Sequence, residues 1–266
     1  MFYMETIKPT WLVKPAKGRL WEIDFLRGIA VVMMIVFHFL YDLNYFAGHS
    51  LALWTGFWWI FARATATIFV FLVGISLHLS YSRAKVKLSE SGLTRKYVKR
   101  GFRVFGWGLL ITGLTWLLLG GVGTIWFGVL HLIGISIILA RPLLKYRMLN
   151  LILGLVFVVV GLNLATMVFG FPWLLPLGLM PASFYTLDYT PILPWFGIVL
   201  LGLFTGKVIY PVGRLKTRKK PRPAAPRTAR PVCFIGMHSL LIYLLHQPVL
   251  IGLIHLIQLI QLIQLI

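Results

Sequence analysis

Acidic residues and cysteine are scarce in this chain. Only 6 Asp and Glu stand against 26 Lys and Arg, and Cys233 is the single cysteine. One cysteine excludes an intrachain disulfide and a paired-cysteine metal site. The phosphate-loop pattern G-x-x-x-x-G-K-S/T is also missing, and the many glycines fall within apolar runs. Nucleoside triphosphate chemistry is therefore not indicated.

Charged residues of both signs make up only 12% of the chain, whereas hydrophobic residues make up 59%. Together with a mean hydropathy of +0.88, this composition excludes a soluble domain and indicates a multi-span membrane protein. A formal charge of +20 would favour nucleic acid as the partner of a soluble protein. Here the positions of the basic residues give a better explanation, and we expect no nucleic-acid partner.

The basic residues are concentrated in a few segments. Twenty-four of the 26 fall in four of them: 4 in residues 1–21, 8 in 83–103, 3 in 141–147 and 9 in 207–230. None falls in the connections near 43–55, 120–124 and 167–190. This positive-inside pattern predicts a cytoplasmic N-terminus. The basic segments are also expected to attract anionic lipid headgroups.

Seven apolar windows are long enough to cross a bilayer. They lie at about 23–42, 56–80, 104–120, 124–140, 148–168, 191–209 and from 232 onward. Residues 170–190 are also apolar, but three prolines disfavour a straight helix there and favour an interfacial or re-entrant segment. The predicted fold is an all-α integral membrane bundle of about seven transmembrane helices in the cell membrane, with its N-terminus in the cytoplasm.

The domain organisation follows from these spans. Residues 1–21 lack an apolar stretch followed by a cleavage site, so we predict a cytoplasmic leader. Residues 22–258 form the predicted transmembrane domain, with basic cytoplasmic loops at 81–103 and 207–231. Residues 259–266 repeat Leu-Ile-Gln and form a low-complexity tail, which either bends onto the outer surface or has no function.

The first predicted span carries an unusual set of ionisable residues. Asp24, Arg27, His38 and Asp42 occur among almost nothing but apolar residues. At ~100° per residue, Arg27 and His38 differ by only about 20° around the helix, and Asp42 lies about 40° to the other side. His38 is ~16 Å further along the axis than Arg27. Because such groups are costly in a bilayer, we expect this face to line a functional site.

Other polar residues within the spans have weaker signals. Arg63 fits a snorkelling role near a helix end. His131 and His246 come out at a depth similar to that of His38, and they either bond neighbouring helices or belong to the site. No two histidines are four residues apart and no cysteine is near, so we expect no metal.

Arg100 and Arg103 lie at the cytoplasmic end of the third predicted span, three residues apart on one helical face. They fit ordinary positive-inside flanking. They also fit a phosphate clamp, because arginine forks match phosphate oxygens. The spacing leaves both interpretations open.

Several sequence blocks resemble a known group of membrane enzymes. Arg27 and His38 in LRGIAVVMMIVFHF, the Arg100-x-x-Arg103 pair and SLLIYLLHQP resemble motifs of the acyltransferase-3 type membrane acyltransferases. The fuller resemblance is to the related heparan-α-glucosaminide N-acetyltransferase-like family, in particular its short prokaryotic members. It rests on RLWEIDFLRGIAVVMMIVFHFLYDL, IFVFLVGISL, FGVLHLIGIS, PILPWFGIVLLG and SLLIYLLHQP, and covers about residues 19–250.

The resemblance implies acyl transfer from cytoplasmic acyl-CoA to an outer sugar, with family roles for Arg27, His38, Arg100 and Arg103. One departure matters. In the heparan enzymes the residue aligned with His38 is Asn, and the catalytic histidine lies eleven positions on, which is His49 here. The chain is also shorter than the animal enzymes, so their glycan substrate is not carried over.

We therefore predict a membrane O- or N-acyltransferase that uses acetyl-CoA or another acyl-CoA and a sugar or glycolipid acceptor. His38 acts as the general base or carries the acyl group, with His49 as its rival, and Asp42 orients its ring. Donor binding is assigned to Arg27, Arg100, Arg103, His131 and His246.

Two other classes of protein stay open, and so does the oligomeric state. A transporter or channel would use the polar face as a permeation route, although no symmetrical repeat is seen. A non-catalytic scaffold would tolerate loss of His38. A homodimer is an open alternative to a monomer.

Overall fold

Helices make up most of the chain in a computed structural model that describes residues 19–170, 172–182, 184–211 and 224–264. Parts of three predicted segments lie outside these ranges: the leader at 1–18, the basic segment at 212–223 and the tail at 265–266. The α-helices are α1 (Trp21–Phe46), α2 (Gly56–Ala84), α3 (Glu90–Leu119), α4 (Val129–Leu143), α5 (Met148–Leu164), α6 (Ile192–Ile209), α7 (Arg230–Met237) and α8 (Ser239–Gln264). Short 3-10 helices occur at Pro172–Leu177 and Arg227–Ala229.

Five of these helices are long and apolar enough to cross a membrane: α1, α2, α3, α6 and α8. The apolar helices α4 and α5 have 15 and 17 residues. At ~1.5 Å per residue they extend ~22 and ~26 Å, short of a ~30 Å hydrocarbon core. The all-helical membrane class is therefore confirmed for the described residues, while seven spans and a cytoplasmic N-terminus stay predictions.

The segment 81–103 was expected to be a loop, and the structure corrects this expectation. Residues 81–84 complete α2 and 90–103 form the first turns of α3, so only five residues connect the helices. Ser89 starts α3 by accepting a hydrogen bond from the Gly92 backbone amide at 3.3 Å. Lys, Arg and Glu are good helix formers, so the charged residues at the start of α3 do not end the helix. The charge pattern alone therefore placed the helix boundary too late in the chain.

The proline-containing segment 170–190 forms no straight helix in its described part, as its prolines predict. The 3-10 turn at Pro172–Leu177 is followed by an extended stretch, which makes isolated bridges from Thr186 to Gly123 and from Tyr189 to Phe127. Burial raises the pKa of Tyr189 to about 12, so its hydroxyl keeps the proton that it donates to the Leu175 carbonyl at 2.7 Å.

Backbone contacts divide the chain into two units. The first comprises residues 1–69 and 221–266, and the second comprises 70–220. In the second unit, glycines let helices approach closely. A Cβ on Gly134 of α4 would lie 2.6 Å from the Phe105 backbone nitrogen of α3, and one on Gly197 of α6 would lie 2.7 Å from the Gly154 carbonyl of α5. Small residues of this kind are how apolar helices pack in a bilayer.

In the first unit, α1 packs along α7 and α8. A Cβ added to Gly28 would overlap the Val232 carbonyl oxygen, and one on Gly236 would overlap the Asp24 carbonyl oxygen. At the other end of α1, Gln258 of α8 donates to the Phe46 carbonyl at 2.8 Å. That carbonyl has no partner inside its own helix, so the contact completes the end of α1. The last helix is interrupted at His238, between α7 and α8.

Candidate functional site

His38 of α1 and His246 of α8 are in direct contact within the first unit. Their ring centroids are 4.9 Å apart, and the rings meet edge to face at 83°. His246 is 8% exposed and His38 is half-buried. His38 follows Trp21 by 17 residues, ~26 Å along a 26-residue helix, so the pair lies well inside the apolar part of α1.

Backbone carbonyls fix the tautomers of both rings. His38 Nδ1 is 2.8 Å from the Met34 carbonyl oxygen, and His246 Nδ1 is 2.6 Å from the Tyr243 carbonyl oxygen. A carbonyl oxygen can only accept, so each Nδ1 must carry the proton. In a neutral ring the other nitrogen, Nε2, then keeps its lone pair. Each imidazole therefore offers an unprotonated Nε2.

Neither Nε2 atom has a hydrogen-bond partner among the described residues. That of His246 is buried and unpaired, and the hydrogen bonds of His38 go through Nδ1. An oriented imidazole with a free Nε2 can accept a proton or attack an electrophilic carbonyl. This is the chemistry predicted for His38, and the structure adds a second ring in the same state.

Asp42 lies one turn beyond His38 and is only 1% exposed. Gln247 donates to its Oδ1 atom at 3.4 Å, and Oδ2 has no partner among the described residues. Asp42 was expected to orient the ring of His38. The Met34 carbonyl, and not Asp42, is the partner of the His38 Nδ1 proton, and a catalytic role for Asp42 stays a prediction.

Arg27 lies near the start of α1 and pairs with Asp24 at 3.2 Å. Arg19 also binds Asp24 through two hydrogen bonds, of 2.9 and 2.7 Å. One buried carboxylate thus holds two guanidinium groups, and the three side chains carry a net charge of +1. Arg27 is 19% exposed, so part of its guanidinium is open to an anion while it pairs with Asp24.

His49, the rival to His38, lies in the connection after α1 and is exposed. Asn44 shapes this connection by exchanging hydrogen bonds of 2.8 and 2.9 Å with the Leu51 backbone. Exposure leaves His49 well solvated, whereas the pair at His38 is shielded. Of the two, only His38 contacts another imidazole.

The second unit contains Arg100 and Arg103, and both side chains are exposed on α3. In the part of the chain that the structure describes, neither forms an ion pair. By contrast, the buried Arg141 pairs with Glu90 at 2.7 Å. Two arginines without acidic partners are suited to bind phosphate oxygens.

His131 also lies in the second unit, where it is 2% exposed. Its Nδ1 accepts a hydrogen bond from the Gly128 backbone amide at 3.2 Å, and its Nε2 is 3.4 Å from Thr112 Oγ1. Asp188 accepts from the Val129 amide at 3.1 Å, so two side chains hold the start of α4. A donor-binding role for His131 stays a prediction.

Two residues of the site were not predicted from the sequence: Gln247 and Arg19. Gln247 is a polar residue next to a histidine in an apolar run, and a polar residue at such a position indicates a functional site. Arg19 precedes the first span and looks like ordinary flanking charge. Among the described residues, no group of three or more His, Cys, Asp or Glu could hold a metal ion.

Comparison with known families gives a match over most of the chain. The family model described as heparan-alpha-glucosaminide N-acetyltransferase, catalytic, matches residues 19–248. The matched range includes the whole of α1 and continues into α8 as far as His246 and Gln247. No curated protein and no solved structure matches the chain.

Proposed function

Because the chain belongs to the heparan-alpha-glucosaminide N-acetyltransferase catalytic family, we propose that it transfers an acetyl group from cytoplasmic acetyl-CoA to an extracytoplasmic sugar or glycolipid. Membership of this family supports membrane acetyltransferase activity. The donor, the acceptor, the cell membrane as location and the direction of transfer are our proposals. The observation that carries the proposed transfer chemistry is the contact between His38 and His246, two oriented imidazoles with free Nε2 atoms inside an apolar helix pair.

His38 is the proposed general base. Its Nε2 takes the proton of the acceptor hydroxyl or amine while the acceptor atom attacks the thioester carbonyl. The carbon–sulfur bond breaks, and the CoA sulfur leaves with the proton that His38 returns. The Met34 carbonyl keeps the ring oriented and favours the imidazolium, because its partner Nδ1–H becomes a charge-assisted donor.

A covalent route through the same atom is the alternative mechanism. Nε2 of His38 would attack the thioester, release CoA and carry the acetyl group until the acceptor removes it. The two routes differ in one observable, since only the covalent route releases one equivalent of CoA before the acceptor is added.

Arginines are the groups proposed to hold the CoA phosphates. Phosphates cross hydrocarbon only at high cost, so they should stay at the cytoplasmic boundary. Arg100 and Arg103 have no ion pairs among the described residues, and Arg27 shares Asp24 with Arg19. We therefore assign the larger part of phosphate binding to Arg100 and Arg103. Arg27 lies ~16 Å before His38 along α1, a distance that an extended pantetheine arm can cover.

Proteoliposomes provide the test of this function. Radiolabelled acetyl-CoA is supplied on the side predicted to be cytoplasmic, with methyl glucosaminide or methyl glucoside inside the vesicle. We expect labelled glycoside in the lumen for the wild-type protein and none for His38→Ala. His238→Ala is the matched control, because His238 is exposed and makes the same type of bond, to the Phe234 carbonyl at 2.9 Å. If the wild type leaves every acetyl-CoA molecule intact, the proposed function is wrong.

A further inference from the structure

Four hydrogen-bond acceptors on α1 and α8 lack a donor among the described residues. Three are buried atoms without a partner: Asp42 Oδ2, Gln247 Oε1 and His246 Nε2. The fourth is Nε2 of His38, whose ring contacts that of His246. The four side chains form one cluster, because His38 contacts His246, Asp42 lies one turn after His38 on α1, and Gln247 donates to Asp42.

When Asp42 is ionised, all four atoms accept and none donates. A carboxylate oxygen and an amide oxygen carry only lone pairs, and the tautomers fixed by Met34 and Tyr243 leave lone pairs on both Nε2 atoms. Gln247 Nε2 carries two N–H donors, and one of them is used by Asp42 Oδ1. Buried polar groups in proteins are almost always paired, so a set with one polarity indicates a partner of the opposite polarity.

Besides ordered water, two kinds of partner could satisfy four acceptors. A metal ion is one, but in the described ranges no group of His, Cys, Asp and Glu has the arrangement to hold a metal. A molecule with several O–H or N–H groups is the other. Such a molecule would donate its O–H or N–H groups to the unpaired acceptors of the cluster. Its own polar groups would thereby gain partners, whereas in an apolar part of the helix bundle they would be buried without any.

We propose that this cluster is the acceptor site, and that it selects a sugar that presents at least two O–H or N–H groups. This inference rests on the proposed acetyl transfer. The reacting group donates to His38, and neighbouring groups of the same sugar donate to Asp42 Oδ2 and Gln247 Oε1. Asp42 and Gln247 are thereby binding residues that orient the acceptor, while His38 handles the proton.

Substitution of Gln247 gives the first test. Gln247→Met keeps the length of the side chain but removes the acceptor oxygen and the bond to Asp42. With methyl glucosaminide or methyl glucoside as acceptor, whichever the wild type uses, we expect the acceptor KM to rise at least tenfold. The KM for acetyl-CoA should stay within twofold. Asp42→Asn should likewise raise the acceptor KM, and it should lower the rate less than His38→Ala does.

Gln258→Met is the matched control for this substitution. Gln258 lies eleven residues further along α8, so it is on nearly the same face, and it also makes a side-chain hydrogen bond, to Phe46. Gln258 lies outside the cluster, and we expect the Gln258→Met variant to have the same acceptor KM as the wild type. Thermal unfolding of each variant in detergent shows whether a loss reflects misfolding.

A pair of small acceptors tests the requirement for several donors. Cyclohexylamine and cyclohexanol present one reacting group on a ring of similar size without the neighbouring hydroxyls. The wild type should use them with at least tenfold lower kcat/KM than the glycosides. In Gln247→Met and Asp42→Asn this preference should shrink to a few-fold.

Equilibrium dialysis with the same labelled glycosides separates this inference from the proposed function, because binding needs no turnover. Suppose that the wild-type protein consumes no acetyl-CoA but binds the glycoside, and that Gln247→Met does not bind it. This result would support the site and refute acetyl transfer. Acetyl transfer with an unchanged acceptor KM in both variants would refute the site and leave the function standing. Absence of glycoside binding by the wild type would also refute the site.

Discussion

The crossing of α1 and α7 should tolerate no side chain at Gly236. A Cβ at this position would overlap the Asp24 carbonyl oxygen and would lie 2.8 Å from the Gly28 backbone nitrogen. These are backbone atoms, which cannot rotate away as the tip of a side chain can. Overpacking of this kind costs ~1–3 kcal/mol, and we expect Gly236→Ala to lie in the upper half of that range.

Gly252→Ala is the matched control on the neighbouring helix. Among the described residues, no atom beyond the adjacent residues and the nearby helix backbone lies within 4 Å of a Cβ at Gly252, so this change removes a flexible residue from α8 without a clash. Alanine in a helix is more favourable than glycine by up to ~1 kcal/mol, and we expect a neutral or stabilising effect.

The assay for both variants is reversible unfolding in mixed micelles, followed by tryptophan fluorescence. α7 leads through His238 into α8, so a displaced α7 should also move His246 away from His38, and acetyl transfer by Gly236→Ala should fall together with stability. If Gly236→Ala and Gly252→Ala unfold within ~0.5 kcal/mol of each other, the close crossing of α1 and α7 is refuted.

Two further predictions concern the donor and the topology. Replacing both Arg100 and Arg103 with Gln should weaken acetyl-CoA binding, measured by isothermal titration, at least tenfold at low salt and by a smaller factor at high salt. Replacing both with Lys should preserve the binding only partly, because the guanidinium fork is lost. The control variant, Lys87→Gln with Arg95→Gln, makes the same charge change and should have little effect on binding. Unchanged affinity of the first double variant would mean that Arg100 and Arg103 act only as topology signals. Cysteines at Ser50 and near Gly121 should react with an impermeant thiol reagent from outside, and one near Ala225 should not, because the outer connections lack Lys and Arg. The reverse labelling pattern would overturn the predicted orientation.

The helices could be predicted from the sequence because long apolar windows leave few alternatives in a membrane. Every predicted span overlaps an observed helix, although α1, α2, α3 and α4 extend beyond their predicted windows. The extension of α3 to Glu90 could not be predicted from hydropathy, since its first turns are charged. It depends on the Ser89 cap and on the ion pair between Glu90 and Arg141.

The candidate site could be predicted in part. Helical periodicity placed His38 and Asp42 near one face of α1, and the count of residues from the basic segments put His246 at a similar depth. The tautomers and the bond between Gln247 and Asp42 could not be predicted, because they depend on side-chain rotamers and on the register of α1 against α8. Asp24 looked like one more charge on the first helix, and only the structure shows that it binds both Arg19 and Arg27.

The identity of the base is the central claim, and single-turnover acetyl transfer by histidine variants tests it most directly. Each purified variant is loaded with acetyl-CoA, the acceptor is added, and CoA release and acetylated product are followed together. We expect His38→Ala to lose at least 10²-fold in rate, the lower range for removal of a general base, while it still binds acetyl-CoA. His49→Ala and His238→Ala should stay within a few-fold of the wild type. An inactive His49→Ala beside a fully active His38→Ala would place the chemistry in the exposed connection and would contradict the assignment of His38 as the base.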